Sequence, residues 1–381
     1  MAEPQEKRLP GVGNLTPGRT ILYIILAIGV ISAVIRLILG LGATTNLSDA
    51  YPWGLWISFD VLAGVALAAG GFTMSAAIYI FNLKKFEPLL RPAKLSAFIG
   101  YLVFIVGLFF DLGQPWRIWH PMVMWNPHSV LFEVSWCVML YTSVLGVDVF
   151  IMALERWEKH EWVGFFRNIY IVLVVAGVML STLHQSSLGA LYLLLPEKMS
   201  NLWASPALGP LFFTSAVIGG MSVVTLESLI SSWAYGRKPE VKLLASLGKG
   251  LGLALLVYFA MKVTDLYARG ASVWVDDAPH LFFYLELFGT VALPAILLSF
   301  ADVRNSVTGL YWAAGLAAFG VVLNRFNVSL TSYGGYRTFG YFPSFIEIII
   351  TLALIAGGIL IFDWGTRYLP VYPSELTGEP G

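Results

Sequence analysis

Ten stretches of about twenty apolar residues constrain this chain more than any motif in it. They are too long for the strands of a membrane barrel and long enough to cross a bilayer as helices. Their approximate bounds are 20–41, 54–81, 95–112, 129–153, 163–185, 209–234, 242–264, 280–300, 306–324 and 343–364. Only 12% of the 381 residues are charged, against about 25% in soluble domains. The sequence therefore predicts an all-α, polytopic membrane protein with ten transmembrane helices over residues 20–364. Polar tails precede and follow it, at 1–19 and 365–381. No cleavage site follows the first apolar run, which reads as a retained helix.

Lysine and arginine set the orientation, because cytoplasmic loops carry their excess. Of the 23, fifteen fall on the side of the termini and every second loop. Five fall on the opposite side and three within spans. Both termini are expected in the cytoplasm of a cell whose inner membrane holds the chain, and the richer loops in the periplasm. A net charge of zero carries no electrostatic signature of a nucleic-acid partner, and none is expected.

The connection from Asp111 to Trp136, DLGQPWRIWHPMVMWNPHSVLFEVSW, is the most informative of those loops. It holds four Trp, two His, Arg117, Asp111 and Glu133. Pro115, Pro121 and Pro127 interrupt regular helix. Trp alone marks a membrane interface. Its combination with Arg117, His120 and Glu133 points to a site for a flat, amphipathic head group. Glu133 and Trp136 are three apart and share a helix face.

Ionisable groups inside spans are costly and read as functional. Asp60 lies about two turns below the surface in YPWGLWISFD, behind Trp53, and is expected to be paired or proton-exchanging. The GVALAAGGF that follows permits close helix contact. Arg36 either finds a partner in the bundle or snorkels to the surface. His184, Gln185, Ser186 and Ser187 form a polar cluster where span 5 ends. There the helix is expected to break at Gly189 and resume as a short segment to Pro196. A neutral imidazole in that setting can hydrogen-bond a carbonyl oxygen and exchange its proton. Glu227 and Lys249 lie in the inner half, Asp148 reads as interface charge, and Lys262 is placed to pair with Asp265. Glu286 lies two turns into span 8, which Pro294 should kink.

The single Cys137 leaves no disulfide and no cysteine-held cluster. A b-type haem needs axial ligands. Of the five His, only His184 falls inside a span, with no second imidazole at matched depth. Neither haem nor metal is expected.

The segments DLGQPWRIWHP, SVLFEVSWCVMLYTSVL, STLHQSSLGALYLLLPEK with NLWASP, and VLNRFNVSL with YFPSFIEI resemble the NrfD/polysulfide-reductase membrane-subunit family. The resemblance runs over nearly the whole chain. It is closest to the ten-helix, HybB-like branch of NiFe-hydrogenase and HmcC-type redox complexes. It implies two four-helix bundles, about 54–185 and 209–324, flanked by two peripheral helices. It also implies a quinone bound near the periplasmic face, menaquinone in type. Electrons would pass through a ferredoxin-like iron–sulfur subunit docked there, within a hydrogenase or multihaem cytochrome complex.

On that footing His184 is expected to hydrogen-bond the quinone and exchange its proton. Asp60 and Glu133 would be the catalytic carboxylates. Gln185, Arg117, Trp116, Trp119 and Trp53 would complete the binding site. A proton path through Asp60, Glu286, Glu227 and Lys249 would couple turnover to proton translocation. Two other classes compete: a secondary transporter, which should show polar groups at the midplane, and a membrane anchor without chemistry, which has no need of buried carboxylates.

Overall fold

The computed structural model describes residues 16–49, 51–271, 278–332 and 341–372. Residues 1–15 and 373–381 of the expected tails, and the Tyr- and Gly-rich connection with Arg337, lie outside the described residues. Among those described, ten helices are long and apolar enough to cross a membrane. They are α1 (Pro17–Leu39), α2 (Trp56–Ile80), α3 (Lys84–Asp111), α4 (Val130–Arg156), α5 (His160–Leu194), α6 (Leu208–Ala234), α7 (Val241–Arg269), α8 (His280–Ser299), α9 (Val307–Thr331) and α10 (Phe345–Tyr368). The fold is all-helical, as the apolar runs predict.

Local chemistry sets the ends. Ser129 and Ser306 accept from the backbone amides of Phe132 and Gly309 and so cap α4 and α9. Ser344 and Glu347 form a reciprocal capping box on α10. Gly270, left-handed at φ 62°, closes α7. Four stretches widen to π-helix: Trp56–Ala63 and Ala76–Ile80 in α2, Leu285–Ala292 in α8 and Asn327–Thr331 in α9. Pro294, which has no N–H to give the preceding turn, follows the π-helical segment of α8.

Helices α2 to α5 pack as one ring and α6 to α9 as a second, while α1 lies along α10 and α10 rests on α3. These are two four-helix bundles with a peripheral pair. The bundles meet where α2 and α5 touch α6 and α2 touches α9. Small residues make that seam. A Cβ on Gly220 would stand 2.7 Å from both Ala69 C and Gly70 N, and one on Gly219 2.8 Å from the Ala66 carbonyl oxygen. The close contact expected of the small-residue run in α2 is therefore present.

Three local expectations are corrected. The helix does not break at Gly189: α-helix continues to Ala190 and tightens to 3-10 through Leu194. Gly189 serves instead for close approach, because a Cβ there would lie 2.6 Å from the Leu208 carbonyl oxygen at the start of α6. Lys262 does not pair with Asp265, which is taken by Arg269 at 2.8 Å and by the Ser205 hydroxyl. Asp148 is no interface charge; it is buried and pairs with Lys94 at 2.6 Å.

Candidate functional site

Two faces of the molecule differ in chemistry. One carries the connection between α3 and α4 and is called the loop face below. The other carries the Lys84–Arg91 segment and the α4–α5 and α6–α7 turns, and is called the basic face. Buried polar side chains gather in three places between them.

The first lies where α2, α3 and α10 meet below the loop face. Asp60 is 1% exposed, and Oδ2 accepts from the Thr351 hydroxyl at 2.7 Å. Oδ1 of Asp60, Oδ1 of Asp111 and the indole Nε1 of Trp56 are buried without a hydrogen-bond partner. Trp56 and Asp60 both stand on the π-helical segment of α2 and pack against α3. The Trp56 ring lies 6.4 Å from that of Phe110, and a Cβ on Gly107 would touch Asp60. Arg36, 1% exposed, gives Nε to the Phe110 carbonyl at 3.0 Å and Nη2 to the Leu112 carbonyl at 2.7 Å. Of the two readings of Arg36 the buried one holds: its charge sits on the C-terminal carbonyls of α3, where a cation is favoured.

The second runs through the first bundle. His184 is fully buried. Its Nδ1 reaches the Leu180 carbonyl at 2.7 Å and its Nε2 the Tyr101 hydroxyl at 2.5 Å. A carbonyl only accepts, so Nδ1 carries the proton and Nε2 of the neutral ring accepts from Tyr101. Beside this pair the Tyr141 hydroxyl, Ser181 hydroxyl and Gln185 Oε1 are buried and unpartnered, while Gln185 Nε2 donates to the Val65 carbonyl. Towards the loop face Ser187 donates to Glu133 at 2.9 Å, and Trp53 meets Tyr192 edge-on at 4.9 Å. Towards the basic face Lys94 donates to Asp148 and to the Tyr170 hydroxyl, each at 2.6 Å. The polar groups thus form a column along the bundle axis. Unpartnered buried hydroxyls in such a column are where ordered water belongs.

The third lies in the second bundle. Glu286, 2% exposed, accepts from Trp203 Nε1, Asn324 Nδ2 and Asn327 Nδ2. Asn324 passes on to Arg325, which also donates to the Phe212 carbonyl and the Ser215 hydroxyl. A small cavity lined by Ser215, Tyr258, Glu286, Thr290 and Asn324 adjoins it.

The expected residues therefore separate. His184, Gln185 and Glu133 belong to the column, and Asp60 to the α2–α3–α10 cluster. Glu286 belongs to the second bundle. Glu227 accepts from Ser96 and is among the residues that line a pocket on the basic face. Lys249 is exposed. Trp116 and Trp119, 66% and 49% exposed, project with Arg117 from the loop and do not line any of the three clusters. Sequence reasoning missed Tyr101, Tyr141, Ser181 and Thr351, whose partners lie on other helices or are absent. It also placed Lys94 in a loop, whereas α3 begins ten residues before it. A signal existed: Lys94 and Tyr101 are seven apart, and Glu133, Tyr141 and Asp148 are spaced by eight and seven, one face of a helix in each case.

Residues 43–335 match the family described as polysulphide reductase, NrfD. A protein of Nitratidesulfovibrio vulgaris is 37% identical over 94% of this chain and 95% of its own length. The probable Ni/Fe-hydrogenase 2 b-type cytochrome subunit of Escherichia coli is 30% identical over 89% of this chain and 88% of that one. The menaquinone reductase integral membrane subunit of Nitratidesulfovibrio vulgaris is 30% identical over 88% and 87%. Among the described residues no three His, Cys, Asp or Glu converge as metal ligands would. His184, deep in α5, has both ring nitrogens engaged in hydrogen bonds within the protein.

Proposed function

Because this chain belongs to the NrfD polysulphide-reductase family, we propose that it is the quinone-reactive integral membrane subunit of a respiratory oxidoreductase complex. The reading takes the quinone as the redox group met by this chain and assigns it no haem or metal. One observation carries the location of the site: an orphaned indole N–H and two orphaned carboxylate oxygens, on Trp56, Asp60 and Asp111, buried together below the loop face. A quinone carbonyl accepts a hydrogen bond and a quinol hydroxyl donates one. Trp56 Nε1 and Asp60 Oδ1 are the complements of those two states, and a buried polar atom without a partner is costly. In this reading Trp56 holds a head-group oxygen and Asp60 exchanges its proton.

His184 then acts at one remove. Its ring orients Tyr101 in the bundle column, whose upper end, Gln185, is tied to α2 at Val65, five residues from Asp60. The column supplies protons from the basic face through Asp148, Tyr141 and Tyr101. Trp116, Arg117 and Trp119, exposed on the loop, suit contact with an iron–sulfur partner better than with the head group. The loop face is periplasmic in this reading and both termini are cytoplasmic.

The transporter reading loses ground because the three clusters are not one pathway at the midplane, and the anchor reading because α2 buries a carboxylate it does not otherwise need. The test is electron transfer from the purified complex to a menaquinone analogue, beside dye-linked activity of the partner subunits. Trp56→Phe and Asp60→Asn are each expected to lower quinone turnover at least tenfold with dye activity intact. His184→Ala should reduce it less. Full turnover in Trp56→Phe and Asp60→Asn, with loss in His184→Ala alone, would move the head group to the Gln185–Glu133 end of the column.

A further inference from the structure

The family match covers residues 43–335, so α1 and α10 lie outside it. These two helices nonetheless deliver three side chains to the α2–α3–α10 cluster. Thr351 donates to Asp60. Arg36 binds the carbonyls that end α3. Glu347, fully buried, accepts from the Asn46 amide at 3.1 Å, the Ser344 amide at 2.7 Å and the Tyr341 hydroxyl at 2.6 Å.

Their placement follows from helix geometry. Asp60 touches Gly107 of α3, and Asp111 is one turn further towards the loop face on the same helix, about 6 Å along the axis. Glu347 is likewise one turn beyond Thr351 on α10. Asp111 thus lies between these groups, coupled by charge to Asp60, to Glu347 and to Arg36. They are not equivalent. Glu347 receives three donors. Asp60 and Asp111 each keep an oxygen with no donor. A buried carboxylate oxygen without a donor is costly, and a proton carried by the pair removes one of the two buried charges. Tyr341, at the outer end, has its phenol held above the ordinary value by burial and by its hydrogen bond to Glu347, so it remains a donor.

We propose that Asp60 and Asp111 share one proton and form the proton-loading pair of the quinone site, with Arg36 and Glu347 of the peripheral helices setting its proton affinity from opposite sides. The proposal rests on the quinone reading above and adds the partner carboxyl and its control. The step is a proton transfer alone: the pair gives its proton to a reduced quinone oxygen, or takes it from a quinol hydroxyl, as electrons move to or from the iron–sulfur partner.

The test uses the intact complex and three variants, Glu347→Gln, Arg36→Gln and Asp111→Asn. Gln at the third position of a helix still closes a capping box, so Glu347→Gln removes charge and leaves the cap of α10. Losing a neighbouring anion should move the pH at which quinone turnover falls off on the alkaline side to lower pH. Losing the neighbouring cation, in Arg36→Gln, should move it to higher pH. Asp111→Asn should lower kcat about tenfold with KM within a factor of two. Shifts of the same sign, or no shift in either charge variant, overturn the proposal. A second readout is independent of quinone: the infrared C=O band of a protonated carboxyl, present in wild type and lost in Asp111→Asn. Wild type without quinone turnover but with that band would sink the quinone reading and keep the shared proton. A band unchanged in Asp111→Asn would sink the shared proton.

Discussion

Lys94 and Asp148 show what a single buried pair can do for a bundle in lipid. Their side chains are 6% and 8% exposed and 2.6 Å apart, with the Tyr170 hydroxyl as a second acceptor for the ammonium and its ring 4.7 Å away. Breaking such a pair leaves a charge with no counter-ion in a low-dielectric setting, which costs about 3–5 kcal/mol. Asp148→Leu alone should therefore lower the thermal midpoint of the purified protein sharply. The double variant Lys94→Met, Asp148→Leu should recover most of the loss, since an apolar pair of similar volume often replaces a buried ion pair without penalty. Equal midpoints for single and double variants would mean that Lys94 does not depend on Asp148. The pair was only half legible in the sequence. Asp148 is visible near the inner end of an apolar run, but the third apolar run starts at 95 and leaves Lys94 just outside it, because α3 opens with Lys84, Lys85, Glu87 and Arg91, which hide a helix start behind charge. His184 was legible as a polar residue at depth, whereas its partner Tyr101 was not, because a tyrosine in an apolar run carries no mark of what its hydroxyl meets.

At the level of elements, the seam between α2 and α6 joins the two bundles and is made by backbone approach. The nearest atoms to a Cβ on Gly220 are Ala69 C and Gly70 N at 2.7 Å, and backbone in a packed helix cannot step aside. Gly220→Leu should destabilise by about 1–3 kcal/mol or more and loosen the bundles from one another. Gly315 on α9 has open space around its Cβ position. Gly315→Ala should be neutral or stabilise by up to about 1 kcal/mol through helix propensity. Thermal unfolding of both variants checks the contrast, and equal effects would show that the seam yields. The run in α2 was readable as a contact surface from its small residues alone. Its counterpart in α6 was not singled out, because Gly219–Gly220 is two residues in a long apolar run and contact depends on which helix comes opposite. The π segments were invisible for a related reason. They depend on hydrogen-bond register, to which hydrophobic periodicity is blind, and one of them carries both Trp56 and Asp60.

Across the whole molecule the chemistry is lopsided, and the lopsidedness sets what orientation would mean. The α2–α3–α10 cluster lies under the loop face. The first-bundle column begins at Lys94 and Asp148 near the basic face and ends at Gln185, Ser187 and Glu133 towards the loops. If the loop face is periplasmic, as the lysine and arginine count predicts, a quinone reduced there with protons drawn along the column moves charge across the membrane. If the loop face is cytoplasmic, the same column would run the other way and turnover would work against that charge. Orientation is therefore the measurement on which energy conservation turns, and the chain is suited to it. Its single cysteine, Cys137, is buried, so an introduced thiol reports with little background. Asn126→Cys in the exposed connection between α3 and α4 should react with a membrane-impermeant maleimide in intact spheroplasts. Glu158→Cys, in the exposed turn between α4 and α5, should react only after permeabilisation. The reverse pattern would put the Trp-rich loop in the cytoplasm, contradict the charge count, and require the iron–sulfur partner to dock from inside.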